Sequence, residues 1–101
     1  MPYSPMTNSG GAHTVTSTAQ TIAAATGITV PDAATRAEGY VRTAAVVKSG
    51  GGFTPTATLG TQLNVGDQII LRTPEEIAQS LFFRQTGADG VIDWDFLTGR
   101  G

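Results

Sequence analysis

Cysteine is absent from this chain, histidine occurs once, and charged residues make up only 14% of its 101 positions. Each shortage closes off a class of chemistry. Without cysteine there is no disulfide framework and no thiolate zinc site. With His13 alone, a multi-histidine metal centre within one chain is excluded. A net charge of −2 supplies no attraction for nucleic acid or an anionic membrane. Arg36, Arg42, Arg72 and Arg84 are scattered rather than clustered, which disfavours a nucleic-acid groove. No apolar run approaches the roughly 20 residues that a membrane-spanning helix needs. The opening MPYSPMTNSGG lacks the basic and apolar segments of a signal peptide, so no export signal is expected.

What remains is a short chain rich in threonine and glycine. Its 101 residues suit one domain and one core. Thr14, Thr16, Thr18, Thr21, Thr26 and Thr29 wet one N-terminal stretch with hydroxyls instead of charges. Such β-branched residues favour a pleated surface.

Met1 to Gly11 reads as an extended arm: Pro2 and Pro5 favour extended backbone before them, and Gly10-Gly11 is a flexible joint. Alternation over Ala12–Thr18 predicts a first strand. The alanine-rich Ala19–Thr26, closed by Gly27, predicts one or two helical turns. Thr35 to Lys48 is long for one strand and predicts a bend near Gly39, with Val41, Thr43, Ala45 and Val47 inside and Tyr40 and Arg42 accessible. Ser49–Gly52 is a glycine-rich tip. Thr54–Leu71 is a shaped connection, with turns at Thr54–Ala57 and Val65–Asp67 before the apolar Ile69-Ile70-Leu71. Thr73-Pro74-Glu75-Glu76 has the form of a helix start, with Thr73 as cap and Glu76 completing a capping box. Gly87–Gly90 predicts a hairpin turn, and Val91–Leu97 a closing strand that points Ile92, Trp94 and Phe96 one way and Asp93 and Asp95 the other.

These elements predict an all-β fold: a small antiparallel β-sandwich or barrel with one or two short helical turns and an extended N-terminal arm. Residues 1–11 form the arm, 12–97 the domain and 98–101 a C-terminal tail. The predicted core is Val15, Val41, Val47, Leu63, Ile69, Leu71, Leu81, Phe83, Ile92, Trp94 and Phe96. Phe82 and Ile70 then fall on the opposite face, where exposure would make them assembly contacts.

Candidate chemistry is sparse. Asp89-Gly90-Val91-Ile92-Asp93 evokes a calcium loop, but with Gly90 as the loop glycine the first, third and twelfth positions become Gln85, Gly87 and Phe96, none of them a carboxylate. Asp93 and Asp95 read as solvated carboxylates. His13 with Ser17 or Ser80 has no nucleophile-elbow motif to support a catalytic triad. Gly50-Gly51-Gly52 lacks the Lys-Ser/Thr of a phosphate-binding loop. Glu75 and Glu76 suit a helix start better than acid–base work. Tyr40, Phe53 and Trp94 could form a sugar-binding platform, although Trp94 belongs to the buried alternation. Phe53, beside three glycines, is the aromatic best placed for a partner.

Several stretches resemble those of small bacteriophage virion structural proteins, of the head decoration (cement) or neck type. They are Thr16, Thr18-Ala19-Gln20, Thr21-Ile22-Ala23 and Thr26-Gly27; Pro55-Thr56-Ala57-Thr58 with Gly60; Leu63 with Gly66-Asp67; and Leu81–Arg84 with Val91–Phe96. The resemblance spans about Val15 to Phe96 and carries no catalytic residues. It implies a non-enzymatic virion component, assembled in the host cytoplasm without cofactor or metal. Its partners would be its own copies and other virion proteins, above all the major capsid protein, with no nucleic acid or membrane. Capsid decoration is the leading expectation; a neck or tail role and a carbohydrate- or receptor-binding module are the alternatives. The candidate assembly contacts are Pro2, Tyr3, Pro5, Met6, Tyr40, Phe53 and Phe82.

Overall fold

The computed structural model describes residues 4–6, 10–25 and 28–99. It is an all-β domain with one short helix, built as two antiparallel sheets about a shared core. The strands are β1 (Ser4–Pro5), β2 (Gly11–Val15), β3 (Arg36–Thr43), β4 (Val46–Ser49), β5 (Thr61–Leu63), β6 (Gln68–Leu71), β7 (Leu81–Arg84) and β8 (Gly90–Thr98); the helix α1 is Pro74–Gln79. In the larger sheet β8 lies between β3 and an edge shared by β1 and β2, and β6 closes the far side of β3. The smaller sheet has the order β5-β4-β7.

The chain repeatedly changes sheets, and small residues permit it. β3 ends at Thr43 in one sheet and β4 begins at Val46 in the other. Near the end of β3 the pairing with β8 shifts register between Val41 and Thr43, and just past it Ala44 takes a left-handed φ of 51°. The expected bend is therefore at Ala44 and not at Gly39, and it reverses the phase of the second half. Val46 turns into the core, while Val47 lies on the other face. Gly90 opens β8 at this corner, where a Cβ would stand 2.6 Å from Val46 Cγ1 and 3.0 Å from the Ala44 carbonyl oxygen. Residues 85–89 likewise cross between sheets. The expected hairpin at Gly87–Gly90 is not formed, since β7 pairs with β4 and β8 with β3.

The larger sheet shows clean alternation. His13 and Val15, Ala37 and Val41, Ile69 and Leu71, and Ile92, Trp94 and Phe96 face inward and are buried. Trp94 sits opposite Gly39, whose missing side chain makes room for the indole; a Cβ there would be 2.7 Å from Trp94 Cε3. The helix starts as its capping residues predict. Thr73 Oγ1 accepts the Glu76 N–H at 3.1 Å, Pro74 occupies the first turn, and α1 ends before the buried Ser80. The alanine-rich stretch forms a hydrogen-bonded turn that buries Ile22, with Ala25 N–H donating to the Ile22 carbonyl, while Thr26 and Gly27 lie outside the described residues. The connection from β2 to β3 also covers the free edge of β7. Gln20 and Phe82 exchange backbone bonds of 3.2 and 3.0 Å, and Arg84 N–H donates to the Thr16 carbonyl.

β7 is phased one residue away from expectation. Phe82 is 1% exposed at the centre of the core, whereas Leu81 and Phe83 are half-buried. Phe82 is therefore not an assembly contact. A one-residue change of phase moves every side chain of a strand to the other face, and the run Leu81-Phe82-Phe83 is apolar in either phase. Leu63 is likewise half-buried and packs at the margin of the core. Within the N-terminal segment Ser4 and Pro5 pair with Thr98 and Leu97 of the same chain, and Met6 N–H donates to the Phe96 carbonyl at 2.9 Å.

This phasing makes a direct prediction. Phe82→Ala should lower unfolding free energy by about 3–5 kcal/mol, measured by urea titration. Phe83→Ala should cost well under half as much. Equal losses would contradict the register of β7.

Candidate assembly surface

At the centre of the domain a three-ring cluster joins the two sheets. His13 from β2 meets Phe82 from β7 edge-on at 5.5 Å, and Phe82 meets Trp94 from β8 at 5.7 Å. Trp94 Nε1–H donates to His13 Nδ1 at 3.3 Å, a fully buried bond. Indole nitrogen can only donate, so Nδ1 must hold its lone pair and the neutral ring carries its proton on Nε2. Burial pushes His13 down to about 4 from 6.5. Protonation would also set a second N–H against the indole N–H. His13 is thus a core residue whose Nδ1 is already engaged; of the two serines weighed beside it, Ser17 is exposed and Ser80 is buried.

The Ser49–Gly60 loop carries the most organised part of the surface. The buried Ser49 accepts the Gly51 N–H at 3.3 Å and donates to the Phe53 carbonyl at 2.7 Å, so the glycine tip is pinned from beneath. Gly51 also lies against the end of α1, where a Cβ would stand 2.7 Å from the Gln79 carbonyl oxygen. Pro55 is fully buried. Thr56 and Leu59 then exchange backbone bonds of 3.0 and 3.3 Å across a tight turn. Gly60 closes the loop over the smaller sheet, at φ 130° and with room for no Cβ beside Val47 Cγ1. This cover explains why Val47 is buried although it faces away from the main core. The frame is fixed, and it holds Phe53 and Leu59 outward at 45% and 52% exposure.

Tyr40 is exposed on the outer face of the larger sheet, opposite Asp93 on one side and Gln68 on the other. Nearby, Arg42 Nε bonds Asp93 Oδ2 at 2.8 Å, and Arg36 Nε bonds Glu38 Oε2 at 2.8 Å. The Arg42–Asp93 pair is exposed and adds little to stability, while the Arg36–Glu38 pair is part-buried. Ile70 is half-buried there. Val65, at the turn before β6, is exposed; the backbone beside it is held by Gly66 N–H donating to the Val41 carbonyl.

Of the expected contacts, then, Tyr40 and Phe53 are exposed on separate elements, Met6 is partly buried against the core, and Phe82 is inside. Pro2 and Tyr3 lie outside the described residues; Pro5 is placed by its backbone on β1. Leu59 and Val65 were missed. Each sits between turn-forming residues (Thr58 and Gly60, Asn64 and Gly66), where an apolar side chain has no strand to turn it inward.

Clefts also lie among the described residues. One, of about 260 Å³, lies between α1 and the β2–β3 connection, with Val30, Ala34 and Ile77 as walls and Asp32 at its side. Another, of about 280 Å³, runs between the Ser49–Gly60 loop and the smaller sheet and is lined by Thr58, Gln62 and Gln85 among others. Tyr40 and Phe53 line neither of these clefts, and Trp94 is buried in the core. Among the described residues no three His, Asp or Glu side chains gather to hold a metal ion. The fold and surface define a small two-sheet domain that presents apolar side chains on braced loops. Comparison with known protein families, with curated proteins and with solved structures returns no match.

The His13 geometry sets a pH dependence. The unfolded chain takes up a proton near 6.5 and the folded one only near 4. Stability is therefore complete above pH 6.5 and falls as pH drops towards 4, by roughly 3 kcal/mol in all. His is the one side chain that ordinarily titrates in the upper part of this window, and His13 is the only one present. Urea midpoints at pH 7 and pH 5 should differ accordingly; identical midpoints would place His13 outside the core.

Proposed function

We propose that the protein is a non-enzymatic structural component of a phage particle, a capsid decoration or cement protein that docks through the Ser49–Gly60 loop. The observation that carries the docking role is the pairing of exposure with bracing: Phe53 and Leu59 stand outward on a loop held by Ser49, Pro55 and Gly60. An apolar side chain on a fixed frame has less freedom to lose on binding than one on a mobile loop. Buried aromatic anchors of this kind dominate interface energetics. The virion setting rests on the resemblance of the turn and strand segments between Val15 and Phe96, and the major capsid protein is the partner it implies.

On this reading the domain works by linkage. Contacts made in the assembled shell and absent from free subunits favour the shell. Many copies, each bound modestly, reinforce one another. The low proportion of charge agrees with a surface that is partly covered in its working state.

The test is co-sedimentation with particles stripped of this protein. Phe53→Ala should weaken binding by tenfold or more, about 1.4 kcal/mol or above, with its urea midpoint unchanged, and Leu59→Ala should weaken it in the same direction. Full binding by the double variant would refute docking through the loop. Binding of free glycans lost in Phe53→Ala would move the protein to the carbohydrate-binding class.

A further inference from the structure

We infer that β1 and Met6 form an exchangeable element, able to occupy the same place on β8 of a second copy of this chain that they occupy on their own. This goes beyond the proposed particle role and does not depend on it.

Both β1 and β2 lie antiparallel to β8 along one edge, yet they are not one continuous strand. From Pro5, opposite Leu97, to Gly11, opposite Trp94, the edge advances six residues while β8 advances three. The link holds three more residues than pairing requires, so β1 can leave its seat without pulling on β2.

The second observation is a pivot. Gly10 and Gly11 have φ of 95° and 138°, conformations open to glycine and costly for other residues. Gly10 lies so close to the Trp94 carbonyl that no Cβ could be accommodated. The chain is thus anchored where β2 begins, and the two glycines carry the turn in direction at that point.

The third is the seat itself. Two register pairs and the Met6 N–H bond to the Phe96 carbonyl seat β1 on β8. Vacating the seat would expose strand edge on β8 and the surface under Met6, which packs against the core. An identical arm from another copy satisfies the same groups with the same geometry. Exchange of an identical element is a low-cost route to association because the contacts of the closed chain are remade. From Gly10 back to Ser4 an extended chain covers about 20 Å, so exchange requires the second copy to lie with its β8 edge close beside the first.

Cysteine cross-linking reads this directly, since the native chain has none. Ser4 and Thr98 are register partners. A chain carrying Ser4→Cys is co-refolded at high concentration with a tagged chain carrying Thr98→Cys, then oxidised mildly. A mixed disulfide is expected, well above that formed by Ser4→Cys with Gln68→Cys on the opposite edge strand. The Ser4→Cys/Thr98→Cys double variant should close within one chain when dilute. Mixed disulfide no more abundant than in the Gln68 control would overturn the inference. Sedimentation of unmodified protein supplies an independent reading: a dimer or larger species that grows with concentration and disappears when residues 1–9 are deleted is expected. Strictly monomeric full-length protein at millimolar concentration would also overturn it.

Discussion

The rest of the structure depends on one buried side chain, Trp94, and on the hydrogen bond it gives to His13. Its ring lies over Gly39, its carbonyl oxygen leaves no room for a side chain at Gly10, and its indole edge meets Phe82 of the other sheet. Two sheets, two glycine positions and one neutral histidine are set by that residue. The bond to His13 Nδ1 is more specific than apolar contact, because a buried donor left without an acceptor is costly. The bond lies within the larger sheet, and Phe82 brings the smaller sheet against both rings.

Sheet switching is the second organising fact. The chain leaves one sheet for the other after β3, after β5 and after β7, and α1 carries it across between β6 and β7. After β3 the apolar run Ala44-Ala45-Val46-Val47 looks continuous in the sequence yet is divided between faces. This explains what was legible and what was not. The alternation of Ile92, Trp94 and Phe96 against Asp93 and Asp95 was readable because hydrophobic and charged residues strictly interchange. The start of α1 was readable because Thr73 and Pro74 carry its capping chemistry in their own side chains. Phe82 was assigned to the wrong face because its neighbours Leu81 and Phe83 are equally apolar, so period-two patterning does not choose between phases. The phase is decided by His13 and Trp94, distant in sequence. Likewise Gly39 marked a close approach by a ring rather than a bend, and the turn at Ala44 has no glycine to announce it.

The candidate site was legible to a similar degree. Phe53 stood out because an aromatic beside three glycines has no strand to enter. What braces it did not, since Ser49 and Pro55 acquire their roles only when the loop folds back over Val47. The Thr54–Leu71 stretch therefore does two things. Its first half covers the outer side of the smaller sheet and fixes the display of Phe53 and Leu59. Its second half carries the chain to β6 through the turn held by Gly66 and Val41. Architecture and presentation are one device here: the residues that set strand register also hold the exposed apolar side chains in place.

The central claim is that this braced loop is the face the protein turns toward a neighbouring subunit in an assembled particle. An electron cryomicroscopy map of the native particle, taken to a resolution that separates the loops, tests it most directly. The account predicts the domain on the shell, with Phe53 and Leu59 enclosed by a neighbouring subunit. A particle that lacks this chain, or one in which both side chains face solvent, would contradict it.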